Sequence, residues 1–220
     1  MNYQKYLSEA AGTFALVFCG TGAIVINQVS GGMISHLGIC LTAGMIVTAM
    51  IFALGDISGA HFNPAVTLGF ALTKRFPVKE ILPYVLSQAI GAFAASFLLH
   101  VLFPANETLG ATLPSGSEMQ SFILETVLAA ILILVILNVS TGSKEKGITA
   151  AIAIGATVGL EALFAGPVCG ASMNPVRSLS PAIVSGHTEH LWIYLLAPVC
   201  GAFIGFVLHT VLYRNSNTAG

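Results

Sequence analysis

From Ala10 to Gly55 the chain contains no Asp, Glu, Lys or Arg. A helix crossing a bilayer needs roughly 20 mostly apolar residues, so this stretch is long enough for two crossings. Asn27-Gln28-Val29-Ser30-Gly31-Gly32 supplies turn chemistry between them. The rest of the sequence repeats the pattern. Ile81–Asn106 is uncharged, Ser121–Asn138 carries only Glu125, Gly147–Phe164 only Glu161, and Leu191–Tyr213 is uncharged. Six spans follow: 8–27, 33–55, 79–103, 119–139, 147–165 and 191–213. Lys5 ahead of the first apolar run resembles the start of a signal peptide, but five further spans mark it as a resident membrane helix. Composition agrees: 55% of residues are hydrophobic, only 8% are charged, and mean hydropathy is +0.88. Eight Lys+Arg against nine Asp+Glu leave no excess charge for a nucleic-acid surface, and this hydrophobicity excludes disorder.

The cations orient the spans. With six crossings, Lys5, Lys74, Arg75, Lys79, Lys144, Lys146 and Arg214 all fall on one side, which the positive-inside rule makes cytoplasmic. Both termini are then expected in the cytoplasm. The opposite loops hold Glu107, Glu118 and Glu189, and the one cation away from the cytoplasmic face is Arg177. A charge inside an apolar segment is expensive and points to function.

Two apolar segments are too short to cross, and they resemble each other. SGAHFNPAVTLG (Ser58–Gly69) lies over CGASMNPVRSLS (Cys169–Ser180) without gaps, matching at Gly, Ala, Asn, Pro and Leu. Each follows the second span of its half, giving repeats at about residues 6–104 and 118–214. Three spans per half invert one half relative to the other, the arrangement that puts a substrate pathway near the midplane. Asn caps free N–H groups and Pro at the first helical position loses no needed donor, so Asn63-Pro64 and Asn174-Pro175 each start a half-helix. Two such N-termini meeting centrally present converging positive dipole ends, which favour water oxygens or hydroxyls and oppose cations and protons.

His61-Phe62-Asn63-Pro64-Ala65-Val66-Thr67 and Asn174-Pro175-Val176-Arg177-Ser178 resemble the two signature loops of the aquaporin family of major intrinsic proteins, with Val176 where Ala is commonest. The run AGPVCGASMNPVRSLSPAIV (Ala165–Val184) is most similar to the nodulin-like intrinsic proteins and their bacterial relatives. The resemblance covers essentially the whole chain. It implies an all-α integral membrane protein of six transmembrane helices plus two re-entrant half-helices, assembled as a homotetramer with one pore per subunit. It implies passage of water, glycerol and undissociated metalloid acids such as arsenous, boric or silicic acid. By counting from the two asparagines, the resemblance sets the selectivity filter at Ala43, Ala162, Ala171 and Arg177. Water-selective members place an aromatic and a His at the first two positions, so three alanines leave an open ring. Pore-centre motifs fall on Asn63, Pro64, Ala65, Asn174, Pro175 and Val176, cytoplasmic pore lining on His61, and loop support on Glu9 and Glu125.

The remaining candidates carry less chemistry. Glu161 stands at the outer mouth or faces a neighbouring subunit. Cys19, Cys40 and Cys200 read as small core residues; Cys169 falls near the outer vestibule, with a thiol open to mercurials as the alternative to an inert one. His187, Glu189 and His190 read as a solvated loop rather than a metal site, and no cofactor is expected. Gly155/Gly159 and Gly201/Gly205 have the spacing of close helix contacts. Asn106-Glu107-Thr108 is a glycosylation sequon, meaningful in a eukaryotic host, while the short tails suggest a prokaryotic one and little phospho-regulation. No HExxH, GxSxG or paired Asp suggests an enzyme, and mid-span positions nearly free of ionisable groups disfavour an ion-coupled transporter. The expected function is a passive channel in the plasma membrane.

Overall fold

The computed structural model describes residues 3–140 and 148–214, all of whose regular elements are helical. The elements are α1 (Tyr3–Val29), α2 (Ser35–Ser58), α3 (Pro64–Leu72), a 3-10 turn (Val78–Glu80), α4 (Ile81–Leu102), α5 (Glu118–Val139), α6 (Ile148–Cys169), α7 (Pro175–Ser185) and α8 (Leu191–Arg214). Six are long and apolar enough to cross a membrane; α3 and α7 are half-length. Lys144 and Lys146 lie outside the described residues, as does the side chain of Arg214.

Span ends differ from the expected ones by up to five residues, α1 starting at Tyr3 rather than residue 8, and one difference bears on a candidate residue. The fifth helix does not stop at residue 165 but continues to Cys169 with Pro167 inside it. Proline has no N–H to give to the carbonyl one turn back, here that of Leu163. The His36 ring takes over: its Nε2 lies 2.8 Å from the Leu163 oxygen. A donor from a different helix thus satisfies the carbonyl that Pro167 leaves free.

The halves are built alike. Helix α1 packs on α2 and α4, as α5 packs on α6 and α8, and α2 against α6 joins the halves. Half-helix α3 lies on α8 and α4, α7 on α4 and α8, and the two meet each other. Between lipid-facing helices apolar burial gives little net drive, so close approach at small residues matters more. A Cβ on Gly44 would stand 2.5 Å from the Gly155 carbonyl oxygen, and one on Gly201 2.5 Å from that of Thr126. Gly155, Gly159, Gly201 and Gly205 all sit at such contacts. Leu128, Leu132, Ile133, Ile136 and Ala202 fill the interior with Val47 and Met173, while Met45, Ile90, Leu160 and Phe203 project outward, as lipid requires.

Candidate functional site

The segments before α3 and α7 are irregular and strained in the same way. Gly59, Ala60 and Phe62 have φ of 84°, 51° and 50°; Gly170, Ala171 and Met173 have 84°, 44° and 54°. A left-handed non-glycine residue costs roughly 1–2 kcal/mol. Two buried carboxylates oppose that cost. Glu9 Oε1 accepts from Ser58 Oγ at 2.7 Å and His61 N at 2.9 Å, and its Oε2 from Phe62 N at 2.7 Å and Gln88 Nε2 at 2.8 Å. Glu125 accepts from Ser172 N and Met173 N, both at 2.8 Å. Hydrogen bonds to charged groups contribute about 1.5–3 kcal/mol each, enough to hold two strained residues per loop.

Each loop ends on a capping asparagine. Asn63 Oδ1 accepts from Ala65 N at 2.9 Å; Asn174 Oδ1 accepts from Val176 N at 3.2 Å and Arg177 N at 3.4 Å. Their amide nitrogens cross over. Asn63 Nδ2 donates to the Met173 carbonyl at 2.9 Å and Asn174 Nδ2 to the Phe62 carbonyl at 3.0 Å. Each –NH2 keeps one further N–H. Arg177, in the first turn of α7, donates from Nη1 to the Gly110 carbonyl at 3.0 Å. Sequence reasoning missed Gly110, since an irregular loop gives no signal for which carbonyl turns inward.

These groups surround one cavity of 1560 Å³ running between the two faces of the helical bundle. Ala43, Ala162, Ala171, Arg177, Asn63, Asn174 and His61 line it. Pro64, Ala65, Pro175 and Val176 do not; Val176 packs against Val17, Ala92 and Ala95, because the helix turn that aims Arg177 inward aims its neighbour away. His61 is buried, with Nδ1 3.1 Å from Thr67 Oγ1 and its ring stacked on Phe70 at 4.7 Å. At that end Arg75 also lines the cavity. It donates to the Leu137 carbonyl at 2.9 Å and to His209 Nε2 at 3.1 Å.

A sequence profile described as "Major intrinsic protein" matches residues 1–209. The chain belongs to the major intrinsic protein family. It is 43% identical to nodulin-26 of Glycine max over 210 residues, covering 95% of this chain and 78% of that protein. With aquaporin NIP1-1 of Zea mays it shares 46% identity over 203 residues, 92% of this chain and 72% of the relative. The crystal structure of the aquaglyceroporin from Plasmodium falciparum superposes with a TM-score of 0.90 at 26% identity, covering 100% of both chains. The protein is a multi-pass membrane channel of the aquaporin kind, for water and small solutes, with the inverted-repeat fold of six spans and two half-helices.

Within this major intrinsic protein several side chains sit elsewhere than expected. Cys169 is fully buried and does not line the cavity; its Sγ donates to the Ala165 carbonyl at 3.5 Å, because α6 runs on to include it. Cys40 is buried in the core as expected but also lines the cavity, and Cys200 is exposed on α8. Glu161 is neither at the outer mouth nor turned to a neighbouring subunit. It is 4% exposed within the single chain, and neither oxygen has a hydrogen-bond partner. His190 pairs with Glu118 Oε1 at 2.7 Å. Asn106 acts as a loop brace, giving its Nδ2 to Gln28 Oε1 at 2.8 Å and accepting from Leu109 N.

Proposed function

We propose that the channel conducts water, glycerol and undissociated metalloid acids passively, and that Ala43, Ala162, Ala171 and Arg177 form its selectivity filter. The observation that carries this reading is that the three alanines and the arginine line the same cavity as Asn63 and Asn174. Methyl groups leave room for a molecule larger than water, while Arg177 offers N–H donors and repels cations. Asn63 and Asn174 hand a neutral solute on at the centre, each with the N–H left over from its loop contact. The converging N-termini of α3 and α7 oppose protons and cations there. His61 lines the cytoplasmic half, and Glu9 and Glu125 hold the loops. The names of the similar proteins, an aquaglyceroporin among them, agree with glycerol as a solute.

In this reading residues of about 6–104 and 118–214 are the two repeats, both termini are cytoplasmic, and the protein is a homotetramer of the plasma membrane. Lys5, Lys74, Arg75 and Lys79 cluster where α1 begins and α4 starts, in keeping with that orientation. The test is stopped-flow light scattering on proteoliposomes. Glycerol gradients should relax far faster than in empty vesicles, with no dependence on a proton gradient. Fast water flux without glycerol flux would remove the open-filter reading, and proton-coupled uptake would remove the passive channel.

A further inference from the structure

Helices α8 and α5 touch along small residues: a Cβ on Gly201 or Gly205 would run into Ala129, Ala130 and Ile133. One turn beyond Gly205 the same face of α8 carries His209, buried at 6% exposure against the end of α5. Two neighbours fix the state of its ring. Arg75 Nη2 lies 3.1 Å from His209 Nε2; a guanidinium can only donate, so Nε2 keeps its lone pair. Nδ1 then carries the single proton and meets Asn138 Oδ1 at 3.2 Å. Asn138 Nδ2 donates onward to the Leu134 carbonyl at 2.6 Å. The bonds run one way, from arginine to imidazole to amide to backbone, and they close only on a neutral ring. Arg75 itself follows α3 in the chain, is exposed, and lines the His61 end of the cavity.

We infer that His209 is a positioning residue for the channel: its neutral ring holds the Arg75 guanidinium back on the wall of this mouth, and proton uptake at Nε2 frees the arm to obstruct it. A second proton would set the N–H of one cation against that of another at 3.1 Å, and attraction becomes repulsion. The Arg75 backbone stays where it is, since its N–H donates to the Phe70 carbonyl at 3.1 Å; the side chain is what moves, left with Nη1 on the Leu137 carbonyl. Asp56, an exposed carboxylate at the end of α2, lines the same cavity. Helix α2 packs on α1 and α6, whereas α8 packs on α5, so Asp56 offers the freed N–H groups an anionic acceptor on another wall. Among the described residues few other charges face the ring. From the α3 side it meets Arg75, with exposed Lys74 next in the chain; α5 turns Asn138 toward it; on α8 the next titratable group, Cys200, is more than two turns away. Helix α7 has only Arg177, which is engaged with Gly110. His61, the other ring at this end, is turned to Thr67 and Phe70. The effect on flux rests on the cavity being the solute path.

The experiment is stopped-flow water flux through proteoliposomes buffered alike on both faces, from about pH 8 to about pH 5, a span that brackets the ordinary value of a histidine. The wild type should lose at least about half of its flux toward the acid end, reversibly, as most such rings take up a second proton there. A glutamine amide gives Arg75 an acceptor that does not titrate, so His209→Gln should hold its own flux level across the span. Arg75→Ala, with no arm to release, should do the same. Wild-type flux that ignores pH overturns the proposal. So does an acid loss of wild-type size in either variant, which moves the sensor to His61 or another ring. Should His209→Gln not assemble, nitrogen NMR of histidine-labelled wild type replaces it. His209 must show a bare Nε2 and a protonated Nδ1 at neutral pH, and gain its second proton over the span in which flux is lost. The other tautomer, or titration outside that span, overturns the assignment. If vesicles conduct nothing at any pH the pathway reading fails, while the His209 tautomer, and its change in Arg75→Ala, still decides whether the ring holds the arginine.

Discussion

Asn63 and Met173, from opposite halves of the chain, are joined on the cavity wall by a 2.9 Å bond from the asparagine amide to the methionine carbonyl. Its counterpart joins Asn174 to Phe62 at 3.0 Å. The two half-helices therefore position each other, and the loops are not independent. Removing one amide should cost about 1–3 kcal/mol, through a lost cap and an unpaired buried carbonyl. Because both bonds tie the same pair of loops, Asn63→Ala and Asn174→Ala should couple by about 0.5–3 kcal/mol in a double-mutant cycle. Apparent melting temperatures in detergent give the cycle, and strict additivity would show the loops to be held separately.

Glu9 and Gln88 are unequal partners in one network. Glu9 accepts four hydrogen bonds, of which Gln88 supplies one. Glu9→Gln places an amide N–H against groups that also donate, so one of the two loop N–H contacts, to His61 or to Phe62, is lost whichever way the amide turns. Gln88→Leu leaves Glu9 with three. The first should lower both melting temperature and water flux well below the second. Equal losses would mean that the loop is not held by the carboxylate.

What the sequence made legible and what it did not divide along a physical line. Asn63-Pro64 and Asn174-Pro175 were readable because capping is local chemistry, complete within a few residues. Ala43 and Ala162 were reached through the family resemblance, by counting from the two asparagines, and both line the cavity. Glu161 was not, because whether a buried acid finds a partner is decided by other helices. Cys169 was misplaced for the same reason: α6 passes Pro167, and the donor to the Leu163 carbonyl comes from His36, far away in sequence. Cys40 is buried, as its apolar sequence neighbours Ile39 and Leu41 suggest, but it also lines the cavity. The signal that existed was its step of three to Ala43, which puts both on one face.

Ala43 and Ala162 set the proposed aperture. Ala43→Phe with Ala162→His fills it from two helices. Glycerol flux should fall at least about tenfold, a barrier increment of about 1.4 kcal/mol, with water flux much less reduced. Unchanged glycerol flux in a folded double variant would take the filter away from these positions.

Glu161 has both oxygens without a partner at 4% exposure. A buried polar group in that state costs free energy. Exchange for an apolar side chain of similar volume should be neutral or stabilising, by up to about 1–4 kcal/mol as seen for buried ionic groups. Glu161→Met is expected to raise the melting temperature or leave it unchanged. A marked fall would mean that the carboxyl has a structural task.

Gly155 and Gly159 differ in what a side chain would meet, though they share one face of α6. A Cβ on Gly159 stands 3.3 Å from the Cys40 carbonyl oxygen, tight but open to a small adjustment. On Gly155 it runs into Thr48 Oγ1 and stands 2.5 Å from the Gly44 carbonyl oxygen. That backbone cannot yield without moving α2 away from α6, and these are the helices that carry Ala43 and Ala162. Gly159→Ala should therefore be mild. Gly155→Ala should destabilise by about 1–3 kcal/mol through overpacking and, where protein survives, widen the aperture. Its glycerol-to-water flux ratio should then exceed that of the wild type, whereas a purely local disturbance lowers stability and leaves the ratio where it was.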